Sequence, residues 1–172
     1  MVSIFHSSKT RPSITTEAVD YVTQKHLIHS IRTAVFVDEQ NIPADFEIDH
    51  DDPISQHVLA FCQGEAIGTG RLTAAGKIGR VSVLRPFRRQ GVGLCVMHRL
   101  VTLAKRGHHS EVVLSAQCHA IPFYEKLGFQ PEGSVFSEAG IAHVKMRKQL
   151  RRTAPAAALR DDCRRYFGWQ EA

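Results

Sequence analysis

A glycine-containing turn between a predicted strand and a predicted helix is the feature that most constrains this chain. Residues 88–93 read Arg-Arg-Gln-Gly-Val-Gly and follow an alternating apolar run that contains Val81 and Val83. Apolar residues at helical spacing follow, from Leu94 to Ala104. Glycine permits positive φ, and the first amides of a helix are unpaired, so backbone N–H groups can converge on an anion here. The pattern therefore predicts a phosphate-binding turn.

The composition of the turn narrows the phosphate compound. Arg88 and Arg89 bring positive charge to the same end of the helix. No Lys-Ser/Thr pair follows the last glycine, and the spacing is not G-x-G-x-x-G. A nucleoside triphosphate or a dinucleotide is therefore not the expected ligand, and a different phosphate ester is indicated.

Length and composition are typical of one globular domain. The chain has 172 residues, of which 43% are hydrophobic and 23% charged. No apolar run is long enough to span a membrane, and the first residues lack the apolar core of a secretory signal, so a cytoplasmic protein that binds no membrane is expected. We predict a mobile leader over 1–12, a single domain over 13–150, and a tail over 151–172 that forms a packed helix rather than a partner-docking segment.

Charge is unevenly distributed around a net value of +5. Residues 85–106 contain six Lys or Arg and no acid, whereas residues 38–52 contain seven Asp or Glu and no Lys or Arg. If both segments line one cleft, the cleft would hold a polyanionic cofactor at one end and a cationic substrate at the other. The alternative is two solvated faces. Nucleic acid is not an expected partner, because the basic residues surround a glycine turn and no nucleic-acid-binding module is recognisable.

Hydrophobic periodicity predicts an α/β (α+β) protein. A helix over 20–35, capped by Asp20, would bury Val22, Ile28, Ile31 and Val35. Hairpins force antiparallel pairing and helical crossovers force parallel pairing, so we predict a mixed, mostly antiparallel sheet of about six to seven strands flanked by helices. The predicted strands cover 13–18, 57–62, 65–72, 77–84, 112–117, 135–136 and 141–146, and further helices cover 94–106 and 122–126.

The order of these elements, together with two motifs, resembles the GCN5-related N-acetyltransferase (GNAT) superfamily. The motifs are RRQGVG at 88–93 and FYEKLGF at 123–129, and the likeness covers about 14–150. Within the superfamily the chain is most similar to the ElaA/YjcF-like bacterial group, through IRTAVFVDEQNIP (31–43), EIDHDD (47–52), GRVSVL (79–84) and GIAHVKM (140–146). The resemblance implies acetyl transfer from acetyl-CoA, as cosubstrate, to a primary amine by direct attack in a ternary complex. It implies no metal.

The resemblance also implies roles for particular residues. The backbone of Val81, Ser82 and Val83 would pair with the pantetheine arm and polarise the acetyl carbonyl. Tyr124 would protonate the departing sulfur. The pyrophosphate would be held by the turn formed by Arg88, Arg89, Gln90, Gly91, Val92 and Gly93, and Gln117 and His119 would contact the pantetheine or adenosine part.

The general base is less well defined by the sequence. The strand before the turn, KIGRVSVL, has no carboxylate or imidazole, so the base has to come from elsewhere or act through water. Glu39 is our first choice, and the alternative is a cluster that attracts a cationic amine without taking a proton. The other candidates are Glu47, Asp49, Asp51, Asp52, His57 and His143. A metal site at His50, Asp51, Asp52 and His57 is not favoured, because these residues follow no strong ligand spacing.

Two alternative functions stay open. The spacing of Arg32, Phe36, Glu47, Asp49, Asp52 and Arg71 is similar to that in acyl-homoserine-lactone synthases, although the chain is short for that group and has Ile42 where the group has a tryptophan. The second alternative is a non-catalytic CoA-binding protein whose aromatic tail meets a partner. The acceptor amine, the preferred acyl chain and the oligomeric state, a homodimer included, are not defined by the sequence.

Overall fold

The computed structural model of the protein describes residues 13–150, so the predicted leader and tail lie outside the described residues. Within this range the predicted order of elements is confirmed, as is the α+β class. The strands are β1 (Ile14–Val19), β2 (Gln56–Cys62), β3 (Glu65–Leu72), β4 (Ile78–Val83), β5 (Glu111–Gln117), β6 (Gln130–Glu138) and β7 (Ile141–Gln149). The α-helices are α1 (Tyr21–Arg32), α2 (Ala44–Glu47), α3 (Val92–Arg106) and α4 (Ile121–Lys126).

The first four strands form an antiparallel sheet in sequence order, β1-β2-β3-β4. The β2–β3 connection is the predicted two-residue hairpin, in which Gln63 and Gly64 have φ values of 52° and 84°. Positive φ at both central residues matches the right-handed twist of the strands that they join.

The remaining strands form a second antiparallel sheet in the order β5-β7-β6. The expected parallel contact between β4 and β5 is reduced to a single bridge, Lys77 to Val113, beside which the Val113 amide donates to the Gly76 carbonyl at 3.1 Å. The predicted single sheet is therefore split, because β4 and β5 separate beyond this bridge.

Helix α3 crosses the first sheet over two glycines of β3. A Cβ atom at Gly70 would lie 2.8 Å from Leu100 Cδ1 and 2.9 Å from Val96 Cγ1, and one at Gly68 would lie 3.0 Å from a Val92 methyl. Only glycine leaves room for the helix at this distance. The apolar side chains of α3 complete the main core between the sheets.

Helix α1 covers the same sheet from its other face. The Asp20 carboxylate accepts a hydrogen bond from the Thr23 amide at 3.0 Å, so the predicted cap is confirmed. Ile28 and Ile31 are buried, but the prediction for Val22 is wrong, since Val22 is 69% exposed. Nine residues at about 100° each place Val22 on the face opposite Ile31.

The end of α1 differs from the predicted boundary at 35. The α-helix ends at Arg32 and continues as a wider π-helical segment over Thr33–Glu39. Such widened turns are common at functional sites, because they rotate the side chains that follow. No helix within 13–150 has the length and apolar character needed to cross a bilayer.

Candidate active site

A cleft of 470 Å³ opens where β4 and β5 separate. One wall is β4, and the facing wall is the end of β5 with α4. The segment 35–47 and the turn between β6 and β7 complete the opening.

The β4 wall carries Val81, Ser82 and Val83, and it contains a β-bulge. Arg80 and Val81 together face the single residue Gly70, and Arg80 has a φ of 55°. A bulge leaves an unpaired residue and re-aims the backbone. Since β5 does not pair with this part of β4, an extended ligand has room to add beside the strand.

The glycine turn follows β4 after a short 3-10 turn over Arg85–Phe87, and it opens α3. Arg89 and Gly91 have φ values of 63° and 86°, and no side chain caps the first amides of the helix. The Gln90 side-chain amide donates to the Pro86 carbonyl at 2.9 Å, and this bond links the turn to the residues just before it. The uncapped amides and the positive end of the helix dipole are suited to an anion.

Arg88 fixes one edge of this turn to the segment before it. Its Nε donates to the Val83 carbonyl at 2.9 Å, and its Nη2 lies 2.8 Å from a Glu39 carboxylate oxygen. Glu39 therefore pairs with Arg88, a residue predicted to bind phosphate, and Glu39 is not among the residues that line the cleft. Arg89 is exposed beside it.

Tyr124 lines the cleft from α4. Its ring makes edge contacts with Phe123 and Phe129, at centroid distances of 5.0 Å and 6.0 Å. Burial raises the pKa of the Tyr124 hydroxyl to about 12. The phenol is therefore protonated at neutral pH and available as a donor.

Gln117 is the last residue of β5, His119 follows just after the strand, and both line the cleft. The Gln117 side-chain amide donates to the Gln40 side-chain carbonyl at 2.8 Å, which links the two walls. His119 is exposed in the turn Cys118–Ala120. The structure thus brings both residues to the cleft but gives them different surroundings.

His143 is the buried imidazole on the cleft wall. It is 8% exposed, and its ring stacks on Phe136 at 6.0 Å. Its Nδ1 lies 2.8 Å from the Ile141 carbonyl oxygen. A carbonyl can only accept, so Nδ1 is the donor, and in the neutral imidazole Nε2 then carries the lone pair.

A buried ion-pair network holds the acidic segment against the sheet. Arg32, which is fully buried, pairs with Glu47 and places Nη1 2.8 Å from an Asp52 oxygen. Arg71 lies 2.7 Å from the same Asp52 oxygen and also pairs with Asp49. Neither arginine belongs to the basic segment noted in the sequence.

Arg80 completes the network from β4. Its Nη2 lies 3.0 Å from an Asp49 oxygen, and its guanidinium donates to the carbonyls of Phe46 and Glu47, both at 3.0 Å. Three guanidinium groups thus meet the three carboxylates of Glu47, Asp49 and Asp52. These carboxylates do not supply the uncompensated negative charge that was expected to attract a cationic substrate.

The network shifts the pKa of its members in opposite senses. Burial by itself would raise the pKa of Asp52, but hydrogen bonds from Arg32 and Arg71 outweigh burial and lower it. Burial lowers the pKa of His57, whose Nε2 donates to the Asp52 carbonyl at 2.8 Å. His57 is therefore a buried neutral residue outside the cleft, and the suggestion that it acts as a base there is not supported.

Sequence reasoning missed Gln40 and the position of Arg80. An arginine inside the otherwise apolar strand KIGRVSVL was the available signal for Arg80, because a buried cation needs partners. Gln40 had no comparable signal, since its contact with Gln117 depends on how the π-helical segment turns. Among residues 13–150, no group of three or more His, Cys, Asp or Glu is placed to hold a metal ion.

Comparisons with known proteins define the class. The family model of the acetyltransferase (GNAT) domain matches residues 11–150. The uncharacterized N-acetyltransferase YjcF of Bacillus subtilis is 38% identical over 122 residues, which cover 69% of this chain and 87% of that protein. The chain therefore belongs to the GNAT family, and it is a member of the acyltransferase class.

Solved structures agree with this assignment. The crystal structure of Escherichia coli ElaA superimposes with a TM-score of 0.73 at 29% identity, and the match covers 80% of this chain and all of that one (100%). The predicted similarity to the ElaA/YjcF-like group is confirmed. BjaI, a CoA-dependent acyl-homoserine lactone synthase, has a TM-score of 0.63 at 18% identity, over 81% of this chain and 85% of that one. This likeness shows a shared fold.

Replacing Asp52 tests the network. Asp52→Asn leaves two buried guanidinium groups undercompensated, and we expect it to lower the free energy of unfolding at pH 7 by about 3–5 kcal/mol. The pKa of Asp52 is lowered in the folded state, so its contribution is complete above the unfolded value near ~3.9 and is lost as the pH falls below it. The difference between the variant and the wild type, measured by urea unfolding, is therefore expected to shrink below about pH 4.

Asp51→Asn is the matched control, because Asp51 is the exposed neighbour of Asp52. It should change the unfolding free energy by less than about 0.5 kcal/mol. An Asp52→Asn protein as stable as the control at pH 7 would contradict the role given to the network.

Proposed function

We propose that the protein transfers an acetyl group from acetyl-CoA to the primary amine of a small acceptor, by direct attack in a ternary complex. The observation that carries this proposal is the separation of β4 and β5, followed after a short connection by an uncapped, glycine-containing helix start. The two features are adjacent in the chain, so one extended phosphate ester can engage both. Membership of the GNAT family supports the same chemistry.

The donor is proposed to bind along β4. The amides of Gly91, Val92 and Gly93 would hold the pyrophosphate, and the backbone of Val81–Val83 would pair with the pantetheine arm as an added strand does. Donors fixed in this way would also orient the thioester carbonyl, and we assign its polarisation to an amide at the bulge. Arg88 and Arg89 add charge at the phosphate end.

Tyr124 is proposed to assist departure of the thiolate. A phenol with a pKa of about 12 would give its proton to a thiolate, whose thiol has a pKa near ~8.5, at a cost of about 5 kcal/mol. We therefore assign Tyr124 the role of hydrogen-bond donor to the sulfur as the C–S bond breaks. In the balanced reaction, the proton lost by the amine ends on the sulfur.

Two groups are proposed for taking that proton from the amine. Glu39 was the choice from the sequence, but its carboxylate is engaged with Arg88. His143 lines the cleft, and its Nε2 lone pair is oriented by the Nδ1 hydrogen bond to Ile141. We therefore assign the base to His143, and we assign Glu39 to the positioning of Arg88.

The experiment that tests the function is a thiol-release assay of the full chain with acetyl-CoA and a panel of primary amines, run beside longer acyl-CoA donors. Transfer to at least one amine with release of CoA thiol is expected. Activity only with acyl-carrier-protein thioesters and S-adenosylmethionine would instead indicate a synthase of acyl-homoserine lactones. Acetyl-CoA binding by calorimetry without thiol release would indicate a binding protein.

Gly91→Glu is expected to abolish acetyl-CoA binding, because a carboxylate would occupy the anion-binding turn. The φ of 86° at Gly91 adds backbone strain, so the control is Gly133→Glu, at a φ of 79° in β6 and far along the chain from the turn. Calorimetry should show binding by the control and none by Gly91→Glu. Equal affinities would rule out the assignment of the turn.

Tyr124→Phe is expected to lower turnover by about 100-fold while acetyl-CoA affinity changes little, because the lost hydrogen bond forms only as the sulfur departs. Tyr21→Phe, which removes a hydroxyl bonded to His29 outside the cleft, is the control. Since the Tyr124 phenol stays protonated below about pH 12, the wild-type rate should show no fall from this group up to pH 10. Equal turnover of wild type and Tyr124→Phe at every pH would remove Tyr124 from the mechanism.

His143→Gln and Glu39→Gln distinguish the two candidate bases. We expect His143→Gln to lower kcat by about 100-fold, because the variant has no imidazole to take the proton from the amine. Glu39→Gln should mainly weaken acetyl-CoA binding through Arg88. The reverse pattern in steady-state kinetics would return the role of base to Glu39.

A further inference from the structure

The charged groups on the cleft walls are separated by sign. Lys77 and Arg80 lie on the β4 wall, and Glu138 lies with His143 on the wall formed by β6 and β7. The remaining carboxylate of the lining, Glu47, is paired with Arg32 and only 2% exposed. The cleft therefore presents positive charge on one side of the acceptor space and a carboxylate with an imidazole on the other.

Arg80 is the side chain most suited to meet an anion. Its left-handed backbone conformation is part of the bulge, beside the position proposed for the thioester. Its side chain stays 25% exposed although Nε and Nη2 are bonded within the network. These bonds hold the guanidinium at the cleft wall, and its exposed part faces the cleft that it lines.

Lys77 adds to the same wall. It is exposed at the start of β4, and within 13–150 its ammonium group makes no ion pair. A ligand carboxylate near Arg80 would thus meet a second positive charge without displacing an existing salt bridge. Because both groups are part-solvated, the expected attraction is moderate and directional.

The rim of the acceptor space is apolar. Phe36, Ile42 and Phe46 line it from the segment between α1 and the end of α2, and Phe46 is 66% exposed. An exposed phenylalanine on a cleft wall is suited to contact with an apolar group of a ligand. The three features together describe a ligand that carries an anion, an ammonium group and an apolar substituent.

We propose that the acceptor is an α-amino acid with an apolar or aromatic side chain, which rests on the proposed acetyl transfer. Its carboxylate is held by Arg80 with help from Lys77, its side chain lies against Phe36, Ile42 and Phe46, and its amine faces His143. The amine nitrogen bonds to the acetyl carbon, the C–S bond breaks, and the amine proton ends on the sulfur. The products are an N-acetyl amino acid and free CoA thiol.

A substrate comparison tests this proposal on the unmodified full chain. Phenylalanine and leucine are compared with phenethylamine and 3-methylbutylamine, which lack only the carboxylate, and with spermidine. We expect kcat/KM to favour each amino acid over its decarboxylated partner by about 30-fold or more, because the cleft would otherwise leave charged groups unmatched.

The outcomes distinguish the proposed acetyl transfer from the proposed amino-acid acceptor. If the decarboxylated amines or spermidine react as well as the amino acids, the acceptor assignment is wrong while acetyl transfer stands. If no amine releases thiol from any acyl-CoA, the proposed function fails and the acceptor assignment falls with it.

Variants locate the carboxylate site. Lys77→Gln, at an exposed position, should raise the KM for phenylalanine up to about fivefold and leave that for phenethylamine unchanged. Arg80→Gln should remove the discrimination, and circular dichroism shows whether it still folds. Lys126→Gln, an exposed lysine of α4 outside the cleft, is the control. An unchanged preference for the amino acid in both Lys77→Gln and a folded Arg80→Gln would overturn the assignment.

Discussion

The ion pairs of the buried Arg32 guanidinium with Glu47 and Asp52 are the interactions on which the rest of the site depends. The guanidinium stands at the end of α1, where it receives the carboxylates of Glu47 and Asp52 from a segment with little regular structure of its own. A buried cation without partners would be very costly, so the chain between α1 and β2 has to return to it. Because the segment is held in this way, Phe46 lies at the cleft and forms part of one side of it.

The separation of β4 and β5 is the second feature on which the site depends, because it opens the cleft between the two sheets. Within residues 13–150, a single main-chain bridge, from Lys77 to Val113, joins these two strands, so main-chain groups and space remain on their facing edges. The bulge at Arg80 turns β4 further from regular pairing. In the proposed complex, the donor would pair with this open edge of β4, and the glycine turn would meet its phosphates.

Local sequence signals predicted the elements well and their charge relations poorly. The cap at Asp20, the Gln63-Gly64 hairpin and the glycine turn depend on residues adjacent in the chain, so spacing alone revealed them. The roles of the acidic segment depend on Arg71 and Arg80, which are about 20 to 30 residues away in the sequence. The split between the two sheets was not predictable either. The hydrophobic pattern of a strand shows which face is buried, but it does not show how many of its residues pair with the adjacent strand.

The glycines of β3 affect the position of the glycine turn at 88–93, although the two lie about 20 residues apart in the sequence. Helix α3 rests on Gly70 near Leu100, and its first amides lie about 12 Å away along the helix axis, eight residues at about 1.5 Å each. Because α3 is one continuous hydrogen-bonded helix, a side chain at residue 70 that displaced Leu100 would also tilt its first turn. If the turn binds the diphosphate as proposed, the absence of a side chain at residue 70 sets how far that diphosphate lies from the thioester carbonyl.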